Sequence, residues 1–169
     1  MPKAAVRDHV AGAAIRDFLS CFTAELYLPS LSATTKDDAL IEMVDALVAT
    51  GRIRNRDVLL EMFKRRESLG STGIGKGVAL PHGRSLSVRE LVVVVARSVE
   101  GVPFDAIDGK PVHHLFLIAA PPQDKDNRYL QVLGRLVDLV KDTPSRKRLL
   151  KVESFDDFVA CVEAHRFEG

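Results

Sequence analysis

The stretch "ELVVVVARSV", Glu90–Val99, carries four consecutive valines and an alanine with no polar residue between them. A strand wet on one face would alternate apolar with polar, so an unbroken β-branched run predicts a strand covered on both faces. A second run of the same type, "HHLFLIAAP" (His113–Pro121), follows a turn around "EGVPFDAIDGKPV". Two such strands need helices on each side, and the flanking sequence supplies them. Upstream, "TTKDDALIEMVDALVATGRI" places Ala39, Met43, Ala46 and Leu47 near 3.6-residue spacing, with Thr34 or Thr35 as cap and Gly51 as stop. A second helix is predicted from about Arg56 to Glu67. Downstream, "NRYLQVLGRLVDLVKD" and "FDDFVACVEAH" read as amphipathic helices, with Thr143 to Lys147 as their connection. "IRDFLS" reads as a short helical turn and "AELYLPSLS" as extended chain, whereas residues 1–14 read as a flexible extension. The expected architecture is an α/β sandwich in a single domain over residues 15–169.

Composition narrows the function. The 169 residues suffice for one good core and not for two ordinary domains. Twenty-four Lys and Arg nearly balance twenty-three Asp and Glu, so no overall field recruits nucleic acid or an acidic membrane. Any anion site is local. Cys21 and Cys161 sit in apolar patterns near opposite ends, the mark of buried thiols in a reducing compartment. No signal-peptide pattern opens the chain, and no apolar run nears the roughly 18 residues of a membrane span. The expectation is a cytoplasmic protein without membrane insertion.

Between the second helix and the valine run lies "GSTGIGKGVALPHGR", Gly70–Arg84. Gly70 to Lys76 satisfies the front of a P-loop, but Gly77 stands where Mg²⁺ binding needs Ser or Thr, and a helix precedes the loop where a strand should. The dinucleotide fingerprint fails too, because Gly77 falls one place early for a third glycine. What remains is a glycine-rich turn leading into a short strand that ends at His82. Pro81 fixes its own φ and Gly83 tolerates unusual angles, so His82 is presented at a strand end. It reads either as a packing histidine at a turn or as a phosphoryl acceptor. The second reading draws on clustered amides around Gly73, Gly75 and Gly77 that can form an anion nest, on the Ser71 and Thr72 hydroxyls, and on Arg65, Arg66, Lys76 and Arg84 nearby. A neutral imidazole is nucleophilic near pH 7.

The strings "RESLGSTGIGKGVALPHG" (Arg66–Gly83) and "FDAIDGKPVHHLFLIAAP" (Phe104–Pro121) resemble the IIA domain of the fructose/mannitol class of the bacterial phosphoenolpyruvate-dependent phosphotransferase system, most of all its nitrogen-regulatory branch. The resemblance runs from about Ile15 to about Ala164. It implies a mixed β-sheet between helices and a phosphoryl carrier, as opposed to a small-molecule enzyme, with no cofactor. It implies phosphorylation of His82 by a histidine-containing phosphocarrier protein, with Arg66 stabilising the phosphate and Ser71, Thr72, Gly73, Gly75 and Gly77 forming the phosphate-binding loop. Arg66 can equally be an exposed cation at a helix end, and the two hydroxyls can serve the turn itself.

Sugar-transporting members carry a second histidine in a pattern like N-x-H-hydrophobic-Q-V, and here "NRYLQVL" puts Tyr129 at that place. A phenol can hydrogen-bond but cannot become a cation near neutral pH. Of the adjacent His113 and His114, strand geometry allows one at most to share a face with a given neighbour, and His114 is a possible partner of the site. No metal-ligand spacing accompanies them, so no metal is expected. Two functions follow. The chain is expected to be a regulatory module that binds a target according to its phosphorylation; the alternative is a transport component passing phosphate from His82 to a IIB domain. Tyr129, the nitrogen-branch likeness and the lack of IIB-like or membrane-spanning sequence within these residues favour regulation.

Overall fold

The computed structural model describes residues 12–165. Most of the extension expected over residues 1–14 lies outside them, and 12–14 are already helical. In chain order the elements are helix α1 (residues 12–19), strand β1 (Tyr27–Leu28), α2 (Lys36–Ala49), α3 (Arg56–Ser68), β2 (Gly73–Gly75), β3 (Val78–Ala79), β4 (His82–Arg84), β5 (Val92–Val102), β6 (Val112–Ala120), α4 (Arg128–Lys141), α5 (Thr143–Leu149) and α6 (Phe155–Ala164). The sheet order is β1-β5-β6-β3-β2, with β4 also paired to β6. It is mixed: β1 runs parallel to β5, β3 and β4 parallel to β6, and the β5–β6 and β2–β3 pairs are antiparallel.

The valine run behaves as its pattern requires. Val92, Val94 and Ala96 face one core with Leu40, Met43 and Leu47 of α2 and Phe63 of α3. Val93 and Val95 face the other with Phe18 of α1, Leu136 and Leu139 of α4 and Phe158 of α6. Successive strand residues point to opposite faces, so a segment apolar at every position needs both layers. The predicted α/β sandwich with a mixed sheet between helices is the fold. Thr35 caps α2 by accepting from Asp38 N at 3.2 Å, and the chain leaves that helix through Gly51 at φ 75°. Cys21 and Cys161 are buried free thiols. Among the described residues no helix is long and apolar enough to cross a membrane.

Two segments differ from expectation. Thr143 to Lys147 is not a connection but the body of α5, whose first turn has Pro144 and is capped by Asp142, which accepts from Ser145 N at 3.1 Å. Buried Ser145 Oγ also meets His165 Nδ1 at 2.5 Å, and buried Leu149 anchors the far end. So polar a heptapeptide is helical through its cap and its tertiary contacts, neither of which shows as hydrophobic period. The second difference concerns the strand expected to end at His82. β3 is followed, after Leu80 and Pro81, by β4, and both pair with β6 without a slip in register, from Val78↔His114 to Arg84↔Ala120.

His114 is 2% exposed. Burial pushes its imidazole down to about 4, against a hydrogen bond with the Leu150 backbone that favours the proton. An unfolded imidazole protonates near pH 6.5, so below that pH the unfolded chain binds the extra proton and the folded one does not. Stability is flat above pH 6.5 on this account and falls between 6.5 and about 4 by about 1.4 kcal/mol per pH unit, about 3 kcal/mol in all. Urea denaturation of wild type and His114→Gln at pH 7 and pH 5 checks this: the variant should lose less stability between the two pH values.

Candidate functional site

β4 has β6 on one side and, among the described residues, no strand on the other. Alternation puts His82 and Arg84 on one face of this edge strand and Gly83 on the opposite face. Gly83 faces α3, and a Cβ there would overlap Met62 Sδ and come within 2.8 Å of Met62 Cε. A side chain at position 83 would therefore wedge helix and strand apart or displace Met62. On the other face, the His82 ring lies against the Tyr129 ring at the start of α4, with centroids 6.0 Å apart and planes tilted by 51°. Between α3 and Tyr129 opens a groove of about 820 Å³, with Val58, Met62, Arg65, Arg66, His82 and Arg84 on its walls.

The half-buried His82 ring is held by its own strand. Nδ1 lies 2.6 Å from the Leu80 carbonyl oxygen. A carbonyl has no proton to give, so Nδ1 is the N–H donor and Nε2 carries the lone pair. Arg66 reaches the groove from the last turn of α3, where Nη1 donates to the Gly70 carbonyl at 2.8 Å. One donor of the guanidinium fixes the loop after the helix, which leaves the rest of the fork for an anion. Arg84 lies with its guanidinium carbon 5.0 Å from the Tyr129 ring centroid. Among the described residues no carboxylate forms an ion pair with Arg65, Arg66 or Arg84. Burial pushes the Tyr129 hydroxyl up, and Arg84 and Arg66 both pull it back, so the two cations act on one place.

The structure brings together His82, Arg66 and Tyr129 but not the five loop residues. Ser71, Thr72, Gly73, Gly75 and Gly77 are absent from the groove wall. Within this segment Thr72 and Lys76 donate to the chain's own carboxylates, and Ser71 and Gly73 serve the turn. The Thr72 amide donates to Glu67 Oε2 at 3.2 Å, and the Thr72 hydroxyl donates to Glu67 Oε1. Glu67 in turn is ion-paired with Lys36 Nζ at 3.0 Å. The Lys76 amide, at φ 60°, donates to Asp108 Oδ2 at 3.0 Å and with the Lys110 amide holds that carboxyl below the usual range. Ser71 Oγ donates to the Phe104 carbonyl and accepts from Gly73 N. Gly73 leaves room for the neighbouring loop, since a Cβ there would stand 2.9 Å from Ala106 Cα. The glycine-rich segment does bind anions, but they are internal ones.

His114 is not at the site either. It pairs with Val78 on β3, whereas His82 pairs with Ile118. The two places on β6 are four positions apart, roughly 13 Å at 3.3 Å per residue. The groove residue that sequence reasoning passed over is Arg84, noted only as a nearby charge; its i, i+2 spacing from His82 on a strand was the available signal.

Comparison with known proteins gives the family. Residues 20–165 match the family described as phosphoenolpyruvate-dependent sugar phosphotransferase system, EIIA 2. The chain is 35% identical over 136 residues to a fructose-specific EIIABC component of Bacillus subtilis, covering 80% of this chain and 21% of that protein. It thus spans about a fifth of that relative's length. It is 34% identical to a nitrogen regulatory protein of Bradyrhizobium diazoefficiens, covering 74% and 80% of the two chains. The crystal structure of nitrogen regulatory protein IIA-Ntr from Neisseria meningitidis superposes with a TM-score of 0.77 at 29% identity, covering 85% of this chain and 97% of that one. With a matched segment that takes in every strand of the sheet and every residue of the groove, the chain belongs to the EIIA type 2 family of the phosphoenolpyruvate-dependent phosphotransferase system.

Proposed function

We propose that the chain accepts a phosphoryl group on His82 Nε2 from a histidine-containing phosphocarrier protein, and that it works as a regulatory module whose binding to a target follows its phosphorylation. The observation that carries this reading is the 2.6 Å contact of Nδ1 with the Leu80 carbonyl, which leaves Nε2 as the nucleophilic nitrogen in an open groove beside Arg66. In the transfer, the Nε2 lone pair attacks phosphorus of the donor's phosphohistidine. The new N–P bond forms as the donor's P–N bond breaks, and that electron pair returns to the donor ring. The proton stays on Nδ1, donated in a hydrogen bond to the Leu80 carbonyl, whose partial negative charge offsets the positive charge the phosphorylated ring gains. Arg66 neutralises the phosphoryl oxygens, and phosphoryl transfer asks little else of a protein than position and charge.

The transport reading is favoured by 35% and 37% identity to two fructose-specific relatives. The regulatory reading is supported by the nitrogen regulatory relatives and by Tyr129, a phenol against the His82 ring where transporting members have an imidazole. Onward transfer to a IIB domain separates the two: slow discharge of the phosphorylated chain to a fructose-type IIB domain, accelerated by Tyr129→His by more than loading changes, is the expected result in rapid-quench measurements. Discharge as fast as loading would establish transport instead.

Incubation with phosphoenolpyruvate, the first enzyme of the cascade and its phosphocarrier should label the wild type with acid-labile phosphate and leave His82→Ala unlabelled. Full labelling of His82→Ala would remove His82 from the acceptor role. For Arg66→Lys, which loses the planar fork but keeps the charge, loading should slow while stability stays within about 0.5 kcal/mol of wild type, the range of surface substitutions. A large loss of stability with normal loading would make Arg66 a structural residue.

A further inference from the structure

Arg84 is the unassigned group in the groove. It stands two residues beyond His82 on the same face of the edge strand, its Cα roughly 7 Å away along an extended chain. Arg66 approaches the same groove from α3, so two guanidinium groups share the groove with His82; Asp57 and Glu61 also line it, but among the described residues no carboxylate forms an ion pair with either arginine. The way Arg84 is held matters. An arginine fixed by a carboxylate has two donors occupied and its charge offset. Arg84 is fixed by the face of the Tyr129 ring at 5.0 Å, a cation–π contact that leaves the in-plane N–H donors unoccupied and the charge intact. The same ring is the one against which His82 packs, 6.0 Å between centroids. Tyr129 thus orients nucleophile and cation together.

On the reading that His82 accepts phosphate, we propose that Arg84 is a second phosphoryl-binding cation of the site and that Tyr129 is the positioning residue that holds it there. The charge that a phenol cannot bring at position 129 comes from the guanidinium stacked on its ring. It acts on both loading and retention, because the phosphoryl group gathers negative charge on its oxygens in transfer and keeps it afterwards.

Phosphoramidate, a small chemical donor, tests this without the protein cascade. Its P–N bond breaks as Nε2 attacks, and ammonia leaves with the electron pair and a proton from water. Wild type should become labelled on His82, and Arg84→Gln should load roughly ten- to a hundredfold more slowly while melting at the wild-type temperature. Arg84→Lys should recover part of the rate, since it restores a point charge but not the stacked fork. Tyr129→Phe, which keeps the ring face, should load like wild type, and Tyr129→Leu should fall toward Arg84→Gln. A wild type that loads on His82 with Arg84→Gln equal to it in loading and in loss of phosphate would overturn the role of Arg84 and leave the acceptor standing. Equal slowing by Tyr129→Phe and Tyr129→Leu would show that the hydroxyl acts and would overturn the positioning role. A wild type that phosphoramidate does not label on His82 would overturn both the acceptor and this extension of it.

Discussion

Pro81 has no N–H to give, yet the chain keeps its place on β6 straight through it, because Ile118 N still donates to the Pro81 carbonyl at 2.8 Å. Successive carbonyls of an extended chain point to opposite edges. The Leu80 carbonyl therefore points away from β6, to the side where β2 pairing has run out: Leu80 N donates to Thr72 O, the residue just before that strand. A backbone acceptor left over at a sheet edge needs a partner, and the His82 ring supplies it. The tautomer of the histidine, the exposure of its other nitrogen and the open flank of β4 all follow from that one interrupted strand.

The layers on the two faces of the sheet then furnish the two sides of the groove. α3 packs on one face and brings Arg66 at its last turn; α4 packs on the other and brings Tyr129 at its first. Because the sheet is buried on both faces, neither helix is free to drift, and Gly83 sets how closely α3 lies against β4. The groove is a seam between layers at a sheet edge. Its chemistry is delivered from elements that are far apart in sequence and rigid in the fold.

The glycine-rich segment illustrates how amide donors find charge. Clustered N–H groups stabilise an anion whatever its source. Here Glu67 and Asp108 are covalently part of the same chain, so they are present at very high effective concentration and occupy those donors in the resting fold. Glu67 is 8% exposed, and its charge is matched by Lys36 and by Thr72, as a buried carboxylate requires. In the proposed phosphoryl transfer, neutralising the external group falls to side chains.

By itself the sequence determined the two-sided burial of β5 and β6, the helices that cover them and the presence of a histidine at a strand end flanked by cations. These are local patterns: period, caps and the stiffness of proline are properties of neighbours in the chain. Tertiary structure alone decided how α5 is anchored, since its Asp142 cap is local but Ser145 meets His165 only when α6 has docked. It alone decided that His114 and His82, both paired on β6, lie apart along it, and that Arg84 stacks on Tyr129 from the other side of the β5–β6 hairpin. The physical reason is that the donors of a glycine-rich loop and the charges of a groove are assigned by distance in space, and distance in space is fixed by how the layers pack.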